Sequence, residues 1–316
     1  MTDEERTPNA SGGAESGSES GEGAGGGEGS GSGDGTGSDP ERPYSAGTQA
    51  QEGPPGSYLT YASYLKIDEL LSLQQPLSDG PEHDEMLFIV IHQVYELWFK
   101  EVLHEVDYAV KLIRTDDLAR AHHTMKRILT ILKVLVAQLD ILETMTPVEF
   151  LTFRERLEEA SGFQSHQFRE LEFVLGVKSQ WAISRYPEHE PALKRLRQRY
   201  EEPTLWDAFL LCLTREGYPV PRELLERDVT QRIEPSPELQ EVLVNVYRRD
   251  PALSELCERL VDLDEGLQEW RYRHVKMVER TIGTKPGSGG SAGAEYLRKT
   301  LFKPAFPDLW GIRARL

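Results

Sequence analysis

Hydrophobic positions recur every three or four residues along most of this chain, which is the period of an amphipathic α-helix. The pattern predicts three long helices, over about residues 84–114, 118–145 and 253–282. On the first of them the apolar stripe consists of Phe88, His92, Tyr95 and Phe99. Helices of this length need a common core, because each can bury its apolar face only against another element.

Shorter helical segments connect the long ones. The apolar residues of 58–75 fit one helix that ends before Pro76, and Pro147 restarts a short helix because proline favours the first helical turn. Residues 177–250 are broken by prolines into short helices, and 294–300 predicts another. No alternating pattern typical of a β-strand exceeds a few residues. The predicted fold class is therefore all-α, a bundle of long helices with one core.

The first 57 residues differ from the rest in composition. They carry eleven acidic residues against Arg6 and Arg42, together with 16 of the 27 glycines, so they account for −9 of the net charge of −17. Such a segment cannot bury enough apolar surface to offset its chain entropy. We therefore predict a disordered acidic tail over 1–57 and one all-α domain over 58–316. An interaction tail is the alternative for the first segment.

Charge and cysteine content exclude several classes of function. A chain of net charge −17 lacks the basic surface that phosphate binding requires, so no nucleic-acid partner is expected. Cys212 and Cys257 lie in apolar helical patterns without the spacing of a zinc site or a disulfide framework. No apolar run approaches the roughly 18 residues of a membrane span, and the acidic N-terminus does not resemble a secretion signal. The expectation is a cytoplasmic protein without membrane attachment.

Polar side chains on otherwise apolar faces are the candidates for chemistry, since HExxH and Walker motifs do not occur in the sequence and no GxSxG or GxGxxG follows a predicted strand. His92 shares its stripe with Phe88, and His274 lies one turn after Trp270 on the last long helix. Each can be a core histidine satisfied by a carbonyl or a carboxylate. An inward imidazole on a long apolar helix also suits a haem iron, which needs an axial nitrogen and an apolar slot.

Arg154 and two glycine-containing stretches allow a similar pair of interpretations. Arg154 follows Phe153 on a short helix, where it either points to solvent or meets an anion such as a substrate carboxylate. The stretches SGFQS (161–165) and GSGGSAG (287–293) interrupt well-patterned helices. Loops of this kind bring backbone N–H groups close to a ligand, or serve only as flexible connections.

Five blocks of the sequence resemble the tryptophan 2,3-dioxygenase family. They are YLTYASYLKIDELLSLQQPLS (58–78), HDEMLFIVIHQVYELWFKEVLHE (83–105), SGFQS (161–165), WRYRH (270–274) and GSGGSAG (287–293). The second block is long and specific, and the order and spacing of the others agree with it. The resemblance extends over about residues 58–311 and leaves the acidic tail outside.

This resemblance implies an all-α homotetramer that binds one haem b per subunit. The implied reaction inserts both atoms of O2 into the indole C2–C3 bond of L-tryptophan and yields N-formyl-L-kynurenine, the first step of tryptophan degradation by the kynurenine pathway. A haem mono-oxygenase or tailoring enzyme of the same superfamily, acting on tryptophan or a substituted tryptophan, is an alternative. A helical bundle whose histidines are structural is another.

Family roles carry over to individual positions of this chain. The resemblance makes His274 the axial ligand of the haem iron and His92 the catalytic, distal histidine that faces the indole N–H, while Arg154 holds the substrate carboxylate. The haem edge is expected at Ser161, Gly162 and Phe163. The expected substrate pocket consists of Phe88, Ile89, Val90, Ile91, His92, Phe150, Arg154 and Ser288, completed by Tyr61 and Leu65 on a segment that reaches a neighbouring subunit.

Two positions depart from the family pattern. Phe150 stands where many bacterial members have a tyrosine that assists the substrate carboxylate, so this hydrogen bond is absent. Ser288 stands where threonine is more frequent, which keeps the hydroxyl and loses a methyl group. Either change can weaken tryptophan binding, and neither removes a reacting group.

Overall fold

The computed structural model describes residues 58–80, 82–158, 160–187, 191–287 and 293–316, so the predicted tail at 1–57 lies outside the described residues. Short 3-10 helices occur at Arg154–Leu157, Gly162–Gln164 and Arg313–Arg315. In chain order, the α-helices of the described residues are α1 (Tyr61–Leu65), α2 (Ile67–Leu71), α3 (His83–Arg114), α4 (Leu118–Leu142), α5 (Pro147–Phe153), α6 (His166–Val174), α7 (Gln180–Ile183), α8 (Pro191–Glu201), α9 (Leu205–Arg215), α10 (Arg222–Leu225), α11 (Pro237–Arg249), α12 (Pro251–Ile282), α13 (Ala294–Arg298) and α14 (Pro307–Gly311).

The all-α prediction is confirmed, because no β-strand occurs within these ranges. The predicted long helices correspond to α3, α4 and α12, and their observed ends lie within a few residues of the expected ones. Cys212 and Cys257 are buried free thiols, as their apolar surroundings predicted. Along the part of the chain that the structure describes, each helix is too short or too polar to cross a lipid bilayer.

Helix α4 packs against both α3 and α12 and thereby joins the long helices into one core. Its buried face carries Ile128, Leu132, Leu135 and Leu139 at spacings of three and four residues. Gly266 of α12 lies opposite Leu132, where an added Cβ would be 3.3 Å from the Cδ1 atom. The absence of a side chain at this position lets the two helices approach closely, which compensates for the low helix propensity of glycine.

Local capping explains where several of these helices begin. The side chain of Asp117 accepts a hydrogen bond from the backbone of Arg120 at the start of α4, and Asp250 does the same for Leu253 at the start of α12. Helix α5 begins with Pro147 in its first turn, as the sequence predicted. Each cap satisfies a backbone N–H that has no partner inside the helix.

The prediction of one continuous helix over 58–75 is wrong. Lys66 adopts a left-handed backbone conformation with φ of 55°, which ends α1 and precedes α2. Neither short helix has a buried residue, and Tyr61 of α1 is 78% exposed. Without tertiary packing, a helix of this length has little to stabilise it, so the local break is not opposed.

A buried carboxylate attaches the C-terminal segment to α12. Asp264 is almost fully buried, and its Oδ2 atom accepts hydrogen bonds from the backbone N–H groups of Ala305 and Phe306, at 2.8 and 3.1 Å, and from the indole N–H of Trp310, at 3.0 Å. Three donors from one segment therefore meet on one oxygen. This arrangement fixes the position of the chain end on the helix.

Replacing Asp264 with alanine is expected to lower the free energy of unfolding by about 3 kcal/mol, because the buried donors would lose their acceptor. Urea denaturation followed by far-ultraviolet circular dichroism measures this loss. Asp262→Ala is the matched control on the same helix, since Asp262 is exposed and pairs with Arg259. Its expected loss is below about 0.5 kcal/mol. Equal losses in the two variants would contradict the assignment.

Candidate active site

A cavity with aromatic walls is enclosed mainly by α3, α5, α6 and α12. Leu139 and Leu142 of α4 add aliphatic surface to its lining. Such a cavity excludes water and accommodates flat apolar groups. Its aromatic lining residues are Phe88, Tyr95, Phe99, Phe150, Phe163, Phe168 and Trp270.

His92 of α3 faces this cavity as a neutral imidazole with a defined tautomer. Its Nδ1 atom lies 2.7 Å from the carbonyl oxygen of Phe88. Because a carbonyl only accepts, Nδ1 must carry the proton, and Nε2 is left with a lone pair. Burial lowers the pKa of His92 below its usual value and so favours the neutral ring. The residue can therefore accept a hydrogen bond at Nε2.

His274 of α12 lines the same cavity as a second neutral imidazole. Burial lowers its pKa to about 4, and the positive charge of Arg169 acts in the same direction. Its ring stacks on that of Trp270, with centroids 5.0 Å apart and planes within 8°. Among the described residues neither ring nitrogen of His274 has a hydrogen-bond partner. The imidazole is thus held by stacking and keeps a lone pair for a ligand.

The described residues contain no cluster of three or more histidine, cysteine, aspartate or glutamate side chains that could hold a metal ion. His274 alone cannot complete a coordination sphere made of protein groups. The lone pair of the His274 imidazole suits a metal that brings its other ligands with it, as the iron of a haem does.

Arg154 lies at the end of the cavity where α5 gives way to the following 3-10 helix. The guanidinium is half-buried and donates a hydrogen bond of 2.5 Å from Nη2 to the carbonyl oxygen of Pro286. Phe88 and Phe150 have ring centroids 5.9 Å apart beside it and line the cavity together with it. This end of the cavity therefore combines apolar ring surface with one cation, which suits an amino acid that has an aromatic side chain and a carboxylate.

Comparison with known proteins places the chain among enzymes of one kind. The family model described as tryptophan 2,3-dioxygenase matches residues 45–218 and 237–316. Proteins named tryptophan 2,3-dioxygenase from Herpetosiphon aurantiacus, Anaeromyxobacter sp. strain K and Caulobacter vibrioides are 64%, 55% and 49% identical to this chain. Each alignment covers 82% of this chain and 98%, 96% and 98% of those proteins, respectively. The chain belongs to the tryptophan 2,3-dioxygenase family. The resemblance recognised in the sequence is confirmed.

Tryptophan 2,3-dioxygenases are haem-dependent enzymes, and the described cavity fits such a group. His274 offers an imidazole with no other described partner, and Trp270 and Phe168 offer flat apolar surface beside it, with their ring centroids 4.7 Å apart. Arg169 and Arg271 also line the cavity, where both donate hydrogen bonds to Glu172. The cavity thus offers one imidazole nitrogen without a described partner and flat apolar walls, which suit a haem.

Most of the residues that the dioxygenase resemblance singled out meet in this cavity. The lining includes Phe88, His92, Phe150, Arg154, Ser161, Gly162, Phe163 and His274. They come from α3, α5, α12 and the segment between α5 and α6 with its two 3-10 helices, so the fold brings together positions that are far apart in the sequence.

Three predicted residues of α3 lie outside the lining of the cavity. Ile89, Val90 and Ile91 follow Phe88 on α3, and the helical rotation of about 100° per residue turns them away from the cavity. Ile91 is buried in the core, whereas Val90 is exposed. These three residues were expected in the substrate pocket, but they are absent from the lining of this cavity.

The two segments expected to complete the dioxygenase pocket are not part of the described lining. Tyr61 and Leu65 lie on the exposed helix α1. Ser288 lies outside the described residues, although Gly287 and Gly293 on either side of that loop line the cavity. The roles of these three residues remain predictions from the family.

The cavity also contains charged residues that sequence reasoning missed. Glu96 lies one turn after His92 on α3, and Gln167 donates to both its carbonyl and its carboxylate oxygen at 2.8 Å. Helical spacing from His92 was the available signal for Glu96. The other charged lining residues that were missed are Arg169, Glu172 and Arg271.

Proposed function

We propose that this protein is a haem-dependent dioxygenase that inserts both atoms of O2 into the indole C2–C3 bond of L-tryptophan and releases N-formyl-L-kynurenine. Membership of the tryptophan 2,3-dioxygenase family supports this activity. The structural observation that carries the proposal is the pair of neutral imidazoles, His92 and His274, that line one apolar cavity.

The proposed cofactor is one haem b per subunit, with His274 as the axial ligand of its iron. Bound in the ferrous state, haem supplies the O2 chemistry. The chain supplies the ligand nitrogen, the apolar surround and the exclusion of water. Ser161, Gly162 and Phe163 are proposed to lie at the haem edge, which is supported by their presence in the cavity lining.

His92 is proposed to orient the substrate through its indole N–H. The protonated Nδ1 is engaged by the carbonyl of Phe88, so Nε2 is the atom available to accept that hydrogen bond. The rings of Phe88 and Phe150 offer apolar surface for the indole. We assign His92 a positioning role, because the indole nitrogen need not lose its proton before oxygen attack on the ring.

Arg154 is proposed to bind the substrate carboxylate. A guanidinium is always charged and can make a forked pair with a carboxylate, which fixes both the position and the orientation of the amino-acid end. The proposal is supported by its place in the lining beside Phe150 and by the hydrogen bond that holds it to Pro286. Ser288 is proposed to contribute a hydroxyl near the substrate ammonium.

Loading of the protein with haem and analysis of its product test the proposed function. After anaerobic reduction, L-tryptophan and O2 should give a product that contains two added oxygen atoms and an opened pyrrole ring. A product with one added oxygen would identify a mono-oxygenase instead. A purified protein without a Soret band after haem addition would rule out both enzymes.

His274→Ala is expected to fold, to retain little haem and to have no activity, because the variant lacks the axial nitrogen. Circular dichroism reports the fold, and the ratio of Soret to protein absorbance reports the haem content. His83→Ala is the matched control, since His83 is exposed at the start of α3 and does not line the cavity. A full haem complement with an unchanged spectrum in His274→Ala would place the iron ligand elsewhere.

Arg154→Leu is expected to weaken L-tryptophan binding about a hundredfold, because the substrate carboxylate would be shielded from water without a partner. Titration of the haem spectrum with tryptophan measures the dissociation constant. Arg154→Lys should recover only part of the loss, since an ammonium cannot form the forked contact. The haem spectrum in the absence of substrate should remain unchanged.

Two comparisons make the Arg154 experiment specific. Tryptamine, which lacks the carboxylate, should bind weakly to the parent protein and lose little affinity in the variant. Arg156→Leu is the matched control, since Arg156 lies two residues further on, pairs with Asp79 at 3.3 Å and is absent from the described lining. Equal losses for tryptophan and tryptamine would show that Arg154 supports the fold and does not bind the carboxylate.

The proposed assembly is a homotetramer in which the segment around Tyr61 and Leu65 reaches a neighbouring subunit. The exposure of both side chains on a helix without buried residues supports such a contact. A chain that begins at residue 51 should keep the size and turnover of the full chain, whereas one that begins at residue 68 should lose both. Size-exclusion chromatography and turnover assays make the comparison, and identical behaviour of the two truncations would refute the contact.

A further inference from the structure

The ring of His274 is oriented by stacking and not by a hydrogen bond. A metal-bound histidine usually donates its second ring N–H to a carboxylate, a carbonyl or a water molecule, which fixes the rotation of the ring. Within the described residues, neither nitrogen of His274 has such a partner. The indole of Trp270, one turn earlier on α12, lies within 8° of parallel to the imidazole. The rotation of the imidazole therefore follows the rotation of this indole.

The indole of Trp270 is in turn enclosed by three other rings. Tyr95 and Phe99 of α3 meet it edge-on, with centroids 6.3 and 6.1 Å away and planes inclined by 66° and 82°. Phe168 of α6 packs on it with centroids 4.7 Å apart. Two of these contacts come from α3, so the helix that carries His92 also borders the ring that stacks on His274.

The hydroxyl of Tyr95 is the polar group among these rings. It is almost fully buried and donates a hydrogen bond of 2.6 Å to the carbonyl oxygen of Leu135 on α4. Burial raises the pKa of Tyr95, so the phenol keeps its proton. The indole N–H of Trp270 acts on this pKa in the opposite direction, as a donor that faces the phenol oxygen does. The indole nitrogen is itself buried and forms no hydrogen bond within the described residues.

We propose that Tyr95 is a positioning residue for the axial imidazole. Its hydroxyl, tied to α4, limits the rotation of the Trp270 indole, and the indole sets the rotation of the His274 ring. The inference rests on the proposed function, because it assumes that His274 binds the haem iron. Tyr95 lies three residues after His92, so α3 positions one imidazole directly and the other through Trp270.

Resonance Raman spectroscopy of the full-length, ferrous, substrate-free protein tests this proposal through its iron–histidine stretching band. Tyr95→Phe removes only the hydroxyl, and the carbonyl of Leu135 keeps its helical hydrogen bond within α4. The band should shift and broaden in this variant, because the imidazole adopts a wider range of rotations. Trp270→Leu removes the stacked ring and should shift the band further. It should also speed haem transfer to apomyoglobin about fivefold, as expected for the loss of an aromatic contact.

The double variant shows whether Tyr95 acts through Trp270. In the Trp270→Leu background, Tyr95→Phe should cause no further shift, because the indole through which the hydroxyl acts is gone. Tyr247→Phe is the matched control, since Tyr247 is half-buried, donates to Glu258 at 2.6 Å and is absent from the described lining. This control should lose thermal stability as Tyr95→Phe does, and its iron–histidine band should match that of the parent.

Three results would overturn the proposal. An unchanged band in Tyr95→Phe would show that the hydroxyl does not affect the ligand. Additive shifts in the double variant would show that it acts independently of the indole, and an equal shift in Tyr247→Phe would assign the effect to a general loss of stability. If Trp270→Leu does not fold, Trp270→Phe takes its place in the same comparison. In each case the parent still holds haem, whereas a parent protein that binds no haem refutes the proposed function itself.

Discussion

The packing of α4 against both α3 and α12 is the contact on which the rest of the structure depends. His92 belongs to α3 and His274 to α12, and the two long helices reach a common cavity because the same third helix supports both. The close approach at Gly266 keeps α12 near α4. Within the described residues, no hydrogen bond connects the rings of His92 and His274. The packing of the helical core therefore sets the position of one imidazole relative to the other. A substitution deep in α4 can alter the site without touching either histidine.

One physical cause, the low polarity of the cavity, accounts for two opposite behaviours of its basic groups. A histidine in such surroundings gives up its charge, as the lowered pKa values of His92 and His274 indicate. An arginine cannot do so and must find an anion instead. The cavity thus contains uncharged nitrogen bases on its apolar walls and cations in positions where carboxylates can neutralise them. The chemistry of the side chains themselves thus separates the uncharged apolar part of the cavity from its cationic part.

The sequence predicted the features that depend on local periodicity and missed those that depend on distant pairing. The long helices were predicted nearly to their ends, because the helical period of their apolar residues is a local signal. The break at Lys66 was missed, because a lysine in the sequence does not indicate a left-handed backbone conformation. A different reason applies to Arg169, Glu172 and Arg271. Charged residues on a helix usually face solvent, so the sequence contained no sign of their burial. The pair between Arg271 and Glu172 joins α12 to α6 across 99 residues of sequence.

The hydrogen bond from His92 to the carbonyl of Phe88 has a consequence for how the site tolerates change. In an α-helix this same carbonyl also accepts the backbone N–H of residue 92, so one oxygen serves both the main chain and the ring of the same residue. The choice of protonated nitrogen is consequently encoded by backbone geometry and not by a neighbouring side chain. Side chains around the cavity can therefore be exchanged while the ring still presents the same acceptor atom, Nε2, to the cavity.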